Sequence, residues 1–218
     1  MMEENEMKSN MTIIISCAGM GTRLGIGATK ALVDVAGKPL IIHQLEQLRD
    51  YDDIRVVVGY QAERVIDVVK NYRDDISFAF NYDYKTTGTA ASFSKGMVGA
   101  REFVVAFDGD LLVNPDDLKQ FLAYDGEVIG GCEPTTDNPV LMTIENGCVV
   151  EFSRERGQLE WTGLAKMRTD RLTPGDKHVY MMFEPLMPIK VMKIRTKEID
   201  TQNDYENAVR WVENGYHD

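Results

Sequence analysis

Short apolar runs alternate with amphipathic stretches along the first part of the chain. Predominantly apolar runs predict buried strands at residues 12–17, 54–58, 76–80, 103–107 and 128–132. Between them, apolar positions spaced as on one helix face predict helices at residues 39–49, 61–72, 90–97 and 116–123. This alternation predicts a three-layer α/β fold in which helices cover both faces of a mostly parallel, Rossmann-like sheet. Ligands of such a sheet bind at the carboxyl ends of its strands.

The pattern changes after Pro139. Residues 140–144 and 148–152 flank Asn146-Gly147, which predicts a β-hairpin. Residues 191–199 predict a further strand, and residues 203–213 predict a closing helix with Gly215 as its C-terminal cap. We expect residues 1–10, which are polar and lack periodicity, to be a disordered leader. Residues 11–218 then form a single domain with a small C-terminal substrate-binding region.

The chain of 218 residues is acidic. It carries 24 Lys and Arg against 35 Asp and Glu, a formal net charge of −11, which argues against nucleic acid or an anionic membrane as a partner. A phosphate-bearing ligand must then be held by local cations, a metal ion or backbone amides. No apolar run approaches the roughly 20 residues that span a bilayer, and the first ten residues lack the positive charge of a signal peptide. We therefore expect a cytoplasmic protein.

A glycine-rich segment follows the first predicted strand. Residues 17–25 read CAGMGTRLG, and glycines let backbone N–H groups wrap around an oxyanion, so this segment predicts a phosphate-binding loop. It matches neither the dinucleotide fingerprint nor the P-loop pattern. A tight structural turn would account for the glycines, but not for Arg23, Lys30 and Lys38 within 16 residues of an acidic chain.

The loop and several later segments resemble the nucleotidyltransferases that make nucleoside-diphosphate sugars and cytidylylated alcohols, the pyrophosphorylase superfamily. The resemblance is carried by Gly19-Met20-Gly21-Thr22-Arg23-Leu24, Lys30, Gly37-Lys38-Pro39-Leu40-Ile41, Gly88-Thr89-Ala90, Gly109-Asp110, Glu160-Trp161-Thr162-Gly163 and Glu198-Ile199-Asp200-Thr201. It spans residues 12 to about 210. It implies a GT-A-like sheet with a nucleotide-binding half at residues 11–138 and an acceptor-binding half at residues 139–218.

In that family, a phosphate oxygen of the acceptor attacks the α-phosphorus of a nucleoside triphosphate and pyrophosphate leaves. The resemblance implies two catalytic cations, Arg23 at the β- and γ-phosphates and Lys30 near the α-phosphate and the acceptor. Lys38 either contacts phosphate as well or is solvated. The loop residues that the resemblance places against the nucleotide are Ala18, Gly19, Met20, Gly21 and Thr22.

Carboxylates follow the strand at residues 103–107, where the sheet presents its ligand-binding edge. Oxygen ligands of this kind suit Mg²⁺, and the resemblance implies Asp110 and Asp200 as the ligands of this cofactor. It places Asp108 with the nucleotide. The alternatives are a plain Asp-Gly-Asp turn and, for Asp200, a cap of the last helix, a role that Thr201 could also fill.

The resemblance also implies how base and acceptor are bound. The residues placed against the base are Thr87, Gly88, Thr89 and Ala90, and those placed against the acceptor are Glu160, Trp161 and Gly163. Uridylyltransferases of the family often carry a glutamine where this chain has Asp83, so we expect CTP to be favoured over UTP. We expect His43, His178 and His217 to have core or surface roles.

The predicted function is the condensation of a nucleoside triphosphate with a small phosphorylated acceptor, a sugar or alcohol phosphate. Three alternatives stay open: a sugar-1-phosphate uridylyl- or thymidylyltransferase, a metal-dependent glycosyltransferase that uses Asp108-Gly109-Asp110, and a noncatalytic regulatory domain of the same fold. The predicted partners are these two small molecules, and neither nucleic acid nor a membrane is expected as a partner. A homodimer is a possible assembly.

Overall fold

Thirteen strands and six α-helices are described in a computed structural model, which covers residues 10–21, 27, 29–136 and 138–217. The strands are β1 (Met11–Cys17), β2 (Asp34–Val35), β3 (Lys38–Pro39), β4 (Ile54–Val58), β5 (Ser77–Phe80), β6 (Phe103–Asp108), β7 (Leu111–Val113), β8 (Val128–Cys132), β9 (Leu141–Glu145), β10 (Cys148–Ser153), β11 (Leu159–Arg168), β12 (Ile189–Lys193) and β13 (Thr196–Glu198). The helices are α1 (Leu40–Gln47), α2 (Ala62–Tyr72), α3 (Thr89–Gly96), α4 (Pro115–Ala123), α5 (Val179–Phe183) and α6 (Gln202–Glu213).

Nine of these strands form one sheet in the order β5-β4-β1-β6-β11-β8-β12-β10-β9. The pairs β5–β4, β4–β1, β1–β6 and β8–β12 are parallel. Every pair that involves β9, β10 or β11 is antiparallel. The predicted three-layer α/β fold is confirmed, but the sheet is mixed rather than mostly parallel, because the long strand β11 runs antiparallel between β6 and β8.

Most predicted elements agree with the structure to within two residues. The strands at residues 54–58 and 128–132 have the predicted bounds, and the closing helix is followed by Gly215 in the left-handed conformation, at φ +67°. The predicted strand at residues 191–199 is instead two strands, β12 and β13. The chain leaves the main sheet between them, where Ile194 turns into the core and is 4% exposed. Strands β2, β3, β7 and β11 and helix α5 were not predicted.

The core lies on both faces of the sheet, as alternation along β1 requires. Ile13 and Ile15 pack on one face together with apolar residues of α1, α2 and α4. Ile14 packs on the other face with Phe93 of α3 and Phe183 of α5. Helices therefore cover both faces of the sheet. None of the helices in the described ranges is long and apolar enough to cross a bilayer.

A second, two-stranded sheet brings a late segment of the chain to the end of β6. Strand β13 pairs antiparallel with β7, which sets Glu198 opposite Leu111. The amide of Ile199 donates to the carbonyl of Asp110 at 3.1 Å. These pairings place residues 198–200 beside the turn that joins β6 to β7.

Candidate functional site

A cavity of about 390 Å³ opens beside the carboxyl ends of β1 and β6. Its described lining comes from the glycine loop, the turn before α3, the turn after β6 and two later residues: Ser16, Cys17, Ala18, Gly19, Gly21, Thr29, Lys30, Ala31, Asn81, Tyr84, Thr87, Gly88, Thr89, Ser92, Asp108, Gly109, Asp110, His178 and Glu198. The cavity thus brings together most of the predicted nucleotide-site residues. Met20 and Ala90 do not line it, and the predicted Thr22 and Arg23 lie outside the described residues.

Lys30 connects the two predicted metal ligands. It begins a short 3-10 helix, and its Nζ donates to Asp110 Oδ2 at 2.6 Å and to Asp200 Oδ1. The side chain is 12% exposed. Burial disfavours the charged ammonium, but its bonds to Asp110 and Asp200 outweigh that effect and raise the pKa of Lys30. Lys30 is therefore a fixed positive charge at the floor of the cavity.

Asp110, Glu198 and Asp200 form an acidic cluster whose carboxylate oxygens lie within 4.8 Å of one another. Burial, followed by repulsion from Asp110 and Asp200, raises the pKa of Glu198 to about 8. Asp200 does not cap the last helix, since the side chain of Thr201 accepts from the amide of Asp204 in a capping box. Its carboxylate is directed to Lys30 instead.

Glu198 was not among the predicted ligands. The signal was available, because the sequence Glu198-Ile199-Asp200 alternates acidic and apolar residues, and in an extended chain residues two apart share one face. Three oxygen ligands from two segments fit a hard divalent cation such as Mg²⁺, which prefers carboxylate oxygens. Lys30 offsets part of the repulsion among these three carboxylates, and a bound divalent cation would offset more of it.

Asp108 also lines the cavity, and its carboxylate lies against Gly163. Burial, with a further contribution from Asp110, raises the pKa of Asp108 to about 8, against the opposing effect of Lys30. Gly163 has φ +82°, and a Cβ there would lie 2.4 Å from Asp108 Oδ2. A side chain at position 163 would clash with this carboxylate, so glycine is required there. Gly163 itself does not line the described cavity.

Another part of the cavity is lined by the turn before α3. Asn81 is 1% exposed, and its Nδ2 donates to Thr87 Oγ1 at 3.2 Å and to Ser92 Oγ at 3.0 Å. The amide of Gly88 donates to the carbonyl of Asp176 at 2.7 Å. Gly88 was expected to read a base edge with its backbone, but its N–H is already bonded. The side chains of Asn81 and Thr87 in this turn, and of Ser92 in α3, also line the cavity.

A segment of the C-terminal part, residues 175–179, lies across this turn; we call it the strap. The amide of Ala90 donates to the carbonyl of Lys177 at 3.1 Å, and Ser94 Oγ exchanges hydrogen bonds of 3.0 and 3.1 Å with the backbone of Gly175. The strap carries His178 into the cavity lining, where its ring stacks on Tyr180 at 5.6 Å. His178, predicted to have a core or surface role, is thus an exposed residue at the site.

Comparison with known proteins identifies the domain. Residues 13–158 match the MobA-like NTP transferase domain. The chain belongs to this family of nucleotidyltransferases. Among its relatives is the bifunctional protein GlmU of Methanocaldococcus jannaschii, 36% identical over 118 residues, which are 52% of this chain and 28% of that protein. GlmU of Aliarcobacter butzleri is 30% identical over 68% of this chain and 35% of its own length. The NTP transferase chain thus spans about a third of these relatives.

Solved structures share the fold over nearly the whole NTP transferase chain. The inositol-1-phosphate CTP transferase from T. maritima aligns with a TM-score of 0.79 and 18% identity, over 96% of this chain and 99% of that one. The CTP:phosphocholine cytidylyltransferase LicC from Streptococcus pneumoniae aligns with a TM-score of 0.71 and 20% identity, over 92% and 98%. At these identities the likeness concerns the fold.

Two predicted acceptor residues lie outside the described cavity of the NTP transferase. The Glu160 carboxylate, on a residue that is 4% exposed, accepts from the amides of Thr135 at 2.8 Å and Thr136 at 3.2 Å. Trp161 packs edge-on against Phe183 at 6.2 Å. Their assignment to the acceptor therefore stays a prediction.

Lys38 is a surface residue of the NTP transferase. Its Nζ donates to both oxygens of Glu46 at 2.7 and 2.6 Å, and it does not line the described cavity. This contact favours the solvated alternative for Lys38.

Proposed function

We propose that this NTP transferase joins a nucleoside triphosphate, preferably CTP, to a sugar phosphate or alcohol phosphate and releases pyrophosphate. The observation that carries the proposal is the position of Lys30, whose ammonium lies between Asp110 and Asp200 on the wall of the cavity. A cation beside carboxylates that fit a divalent ion is what attack on an α-phosphate needs, because charge grows on its nonbridging oxygens.

The glycine loop supplies neutral contacts for the rest of the triphosphate. Ala18, Gly19 and Gly21 line the cavity, and backbone amides in such a loop can bind phosphate oxygens. Gly21 has φ +59°, a conformation that glycine adopts without strain. Arg23, which belongs to the same glycine-rich segment of the sequence, is proposed to contact the β- and γ-phosphates.

Asp110, Glu198 and Asp200 are the residues that would hold Mg²⁺. When bound, the ion neutralises phosphate charge and orients the triphosphate. Lys30 is held by two of these carboxylates, Asp110 and Asp200, so it is already desolvated and charged beside the proposed α-phosphate position. Its part is to stabilise the charge of the transition state at that phosphate without a large reorganisation.

The preference for CTP is supported by the side chains at the base end. Asp83, which stands where uridylyltransferases often carry a glutamine, is exposed and does not line the cavity. Ser92 is 6% exposed and accepts a hydrogen bond from Asn81, so its hydroxyl proton remains able to donate to N3 of cytosine. Uracil carries a proton at N3, so this donor would favour cytosine.

The acceptor class is supported by the shared fold of two enzymes that act on alcohol phosphates. Both the inositol-1-phosphate CTP transferase and the CTP:phosphocholine cytidylyltransferase align over more than nine tenths of this chain. The GlmU relatives match over about a third of their length and support nucleotidyl transfer without naming the acceptor.

The test is pyrophosphate release, measured for CTP, UTP, dTTP, ATP and GTP against a panel of sugar and alcohol phosphates with Mg²⁺ present. We expect release only when a triphosphate and an acceptor are both present, fastest with CTP. The matched control is Lys30→Met. Release of a nucleoside monophosphate or diphosphate from a nucleotide sugar, without pyrophosphate, would favour a glycosyltransferase. No turnover of any pair would favour a noncatalytic domain.

A further inference from the structure

Gln44 connects helix α1 to the turn that carries Asp110. Its side chain is 1% exposed. The Nε2 atom donates to the carbonyl of Asp108 and to the carbonyl of Leu111, both at 2.8 Å. These two carbonyls stand at the two ends of the turn, so one amide group spans the segment whose side chain reaches the acidic cluster.

We infer that Gln44 is a positioning residue that holds Asp110 in the geometry needed to bind a divalent cation. The inference rests on the metal site in the proposed function. Both partners are carbonyl oxygens, so the atom facing them must be the NH₂ group, which uses both of its protons. Groups that orient a metal ligand in this way commonly change metal affinity by 10- to 100-fold when removed.

The unpaired oxygen of the same amide supports a positioning role over simple packing. Gln44 Oε1 is buried and has no hydrogen-bond partner among the described residues. Burying an unpaired oxygen is unfavourable, so the two hydrogen bonds that Nε2 donates must offset that cost. The amide is useful here only for its two donors.

Backbone contacts also hold this turn, and Gln44 adds a side-chain donor at each of its two ends. The amide of Gly109 donates to the carbonyl of Ser16, and the amide of Ile199 donates to the carbonyl of Asp110, each at 3.1 Å. A Cβ at Gly109 would lie 2.5 Å from that Ser16 oxygen, so the turn is pressed against β1. Without Gln44, the carbonyls of Asp108 and Leu111 would lose their side-chain donor, and the Asp110 side chain would be less well directed.

Helix α1 also supplies a matched control. Gln47 lies one helical turn further on, and its Nε2 donates to the carbonyl of Val113 at 2.9 Å, beyond the turn. Its Oε1 is also buried without a partner among the described residues. Gln47→Met therefore makes the same chemical change on the same helix but leaves the Asp110 turn untouched.

The experiment measures Mn²⁺ binding to the full-length protein by calorimetric titration, together with the thermal midpoint of each variant. We expect Gln44→Met to weaken Mn²⁺ binding about tenfold or more, and Gln47→Met to leave it within about twofold of the wild type. Gln44→Leu, a second apolar variant, is titrated below its thermal midpoint in case Gln44→Met is unfolded. A purely structural residue would lower the midpoint of the folded variant without changing the Kd for Mn²⁺.

Equal Mn²⁺ affinity in the wild type and a folded Gln44 variant would overturn the positioning role while leaving the proposed metal site intact. Equal weakening by Gln47→Met would overturn it too, since the effect would then belong to the helix as a whole. Failure of the wild type to bind Mn²⁺ would overturn the proposed metal site itself, and the inference with it.

Discussion

Replacing Lys30 by methionine tests the proposed chemistry most directly. The change removes the ammonium group and keeps a flexible side chain of similar length. The Lys30 side chain is 12% exposed, so water screens its charge little. At about 4 Å and an effective dielectric constant of about 20, a unit charge contributes about 4 kcal/mol. Because about 1.4 kcal/mol corresponds to tenfold in rate, we expect kcat to fall roughly 100- to 1000-fold.

The same variant should bind Mn²⁺ more tightly than the wild type. In the structure the ammonium contacts Asp110 and Asp200, so it competes with a divalent cation for their oxygens. A catalytic role for Lys30 therefore predicts opposite signs: slower turnover and stronger metal binding. If Lys30 mainly supported the metal site, both would weaken together.

The assay is pyrophosphate release at saturating Mg²⁺ and CTP, with Mn²⁺ titrated separately by calorimetry. Lys38→Met is the control, since Lys38 pairs with Glu46 outside the described cavity and should keep kcat within about threefold. A kcat for Lys30→Met within threefold of the wild type would refute the reasoning. So would a rise in KM alone, which is the mark of a ground-state contact.

Three further predictions concern the metal ligands, the strap and pH. Asp110→Asn should abolish turnover while circular dichroism stays unchanged, and activity that persists in chelator would contradict the metal assignment. Ser94→Ala removes both bonds to Gly175 at a cost of about 1 to 3 kcal/mol, so we expect a lower CTP-to-UTP ratio in kcat/KM; an unchanged ratio would separate the strap from base selection. The pKa values of Asp108 and Glu198 are raised to about 8, so the folded state binds more protons than the unfolded state between about pH 4.5 and pH 8. The thermal midpoint of the metal-free protein should therefore fall as pH rises from 6 to 8.5, and a rising midpoint would contradict these shifts.

The apolar strands could be predicted from sequence, whereas the strand that makes the sheet mixed could not. Residues 54–58 form an apolar run with one interruption, and the structure gives β4 the same bounds. Strand β11 contains Glu160, Gly163 and Lys166, which break the pattern. Lys166 is 2% exposed because its Nζ donates to the carbonyls of Leu122 and Tyr124 at the end of α4. Such polar residues are buried through partners that are remote in sequence, so local periodicity does not identify them.

The candidate site divides in the same way. Lys30 and Asp110 were identified through motifs, and the structure brings them into contact. The hydrogen bond from the Gly88 amide to the carbonyl of Asp176 could not be predicted, because the two residues are 88 positions apart in the chain. Gln44 carries no motif either, and it stands out only through the two carbonyls that its amide reaches.

The family match ends at residue 158, but residues further along the chain also line the cavity. His178 and Glu198 line it, and Asp200 holds Lys30, so residues beyond the match complete the proposed nucleotide site. Strand β11 also lies beyond the match and separates β6 from β8 in the sheet. The part of the chain expected to bind the acceptor therefore cannot be a module added to a finished nucleotide-binding unit. Backbone hydrogen bonds join its strap to the turn before α3, so the proposed acceptor and base sites would share a structural element.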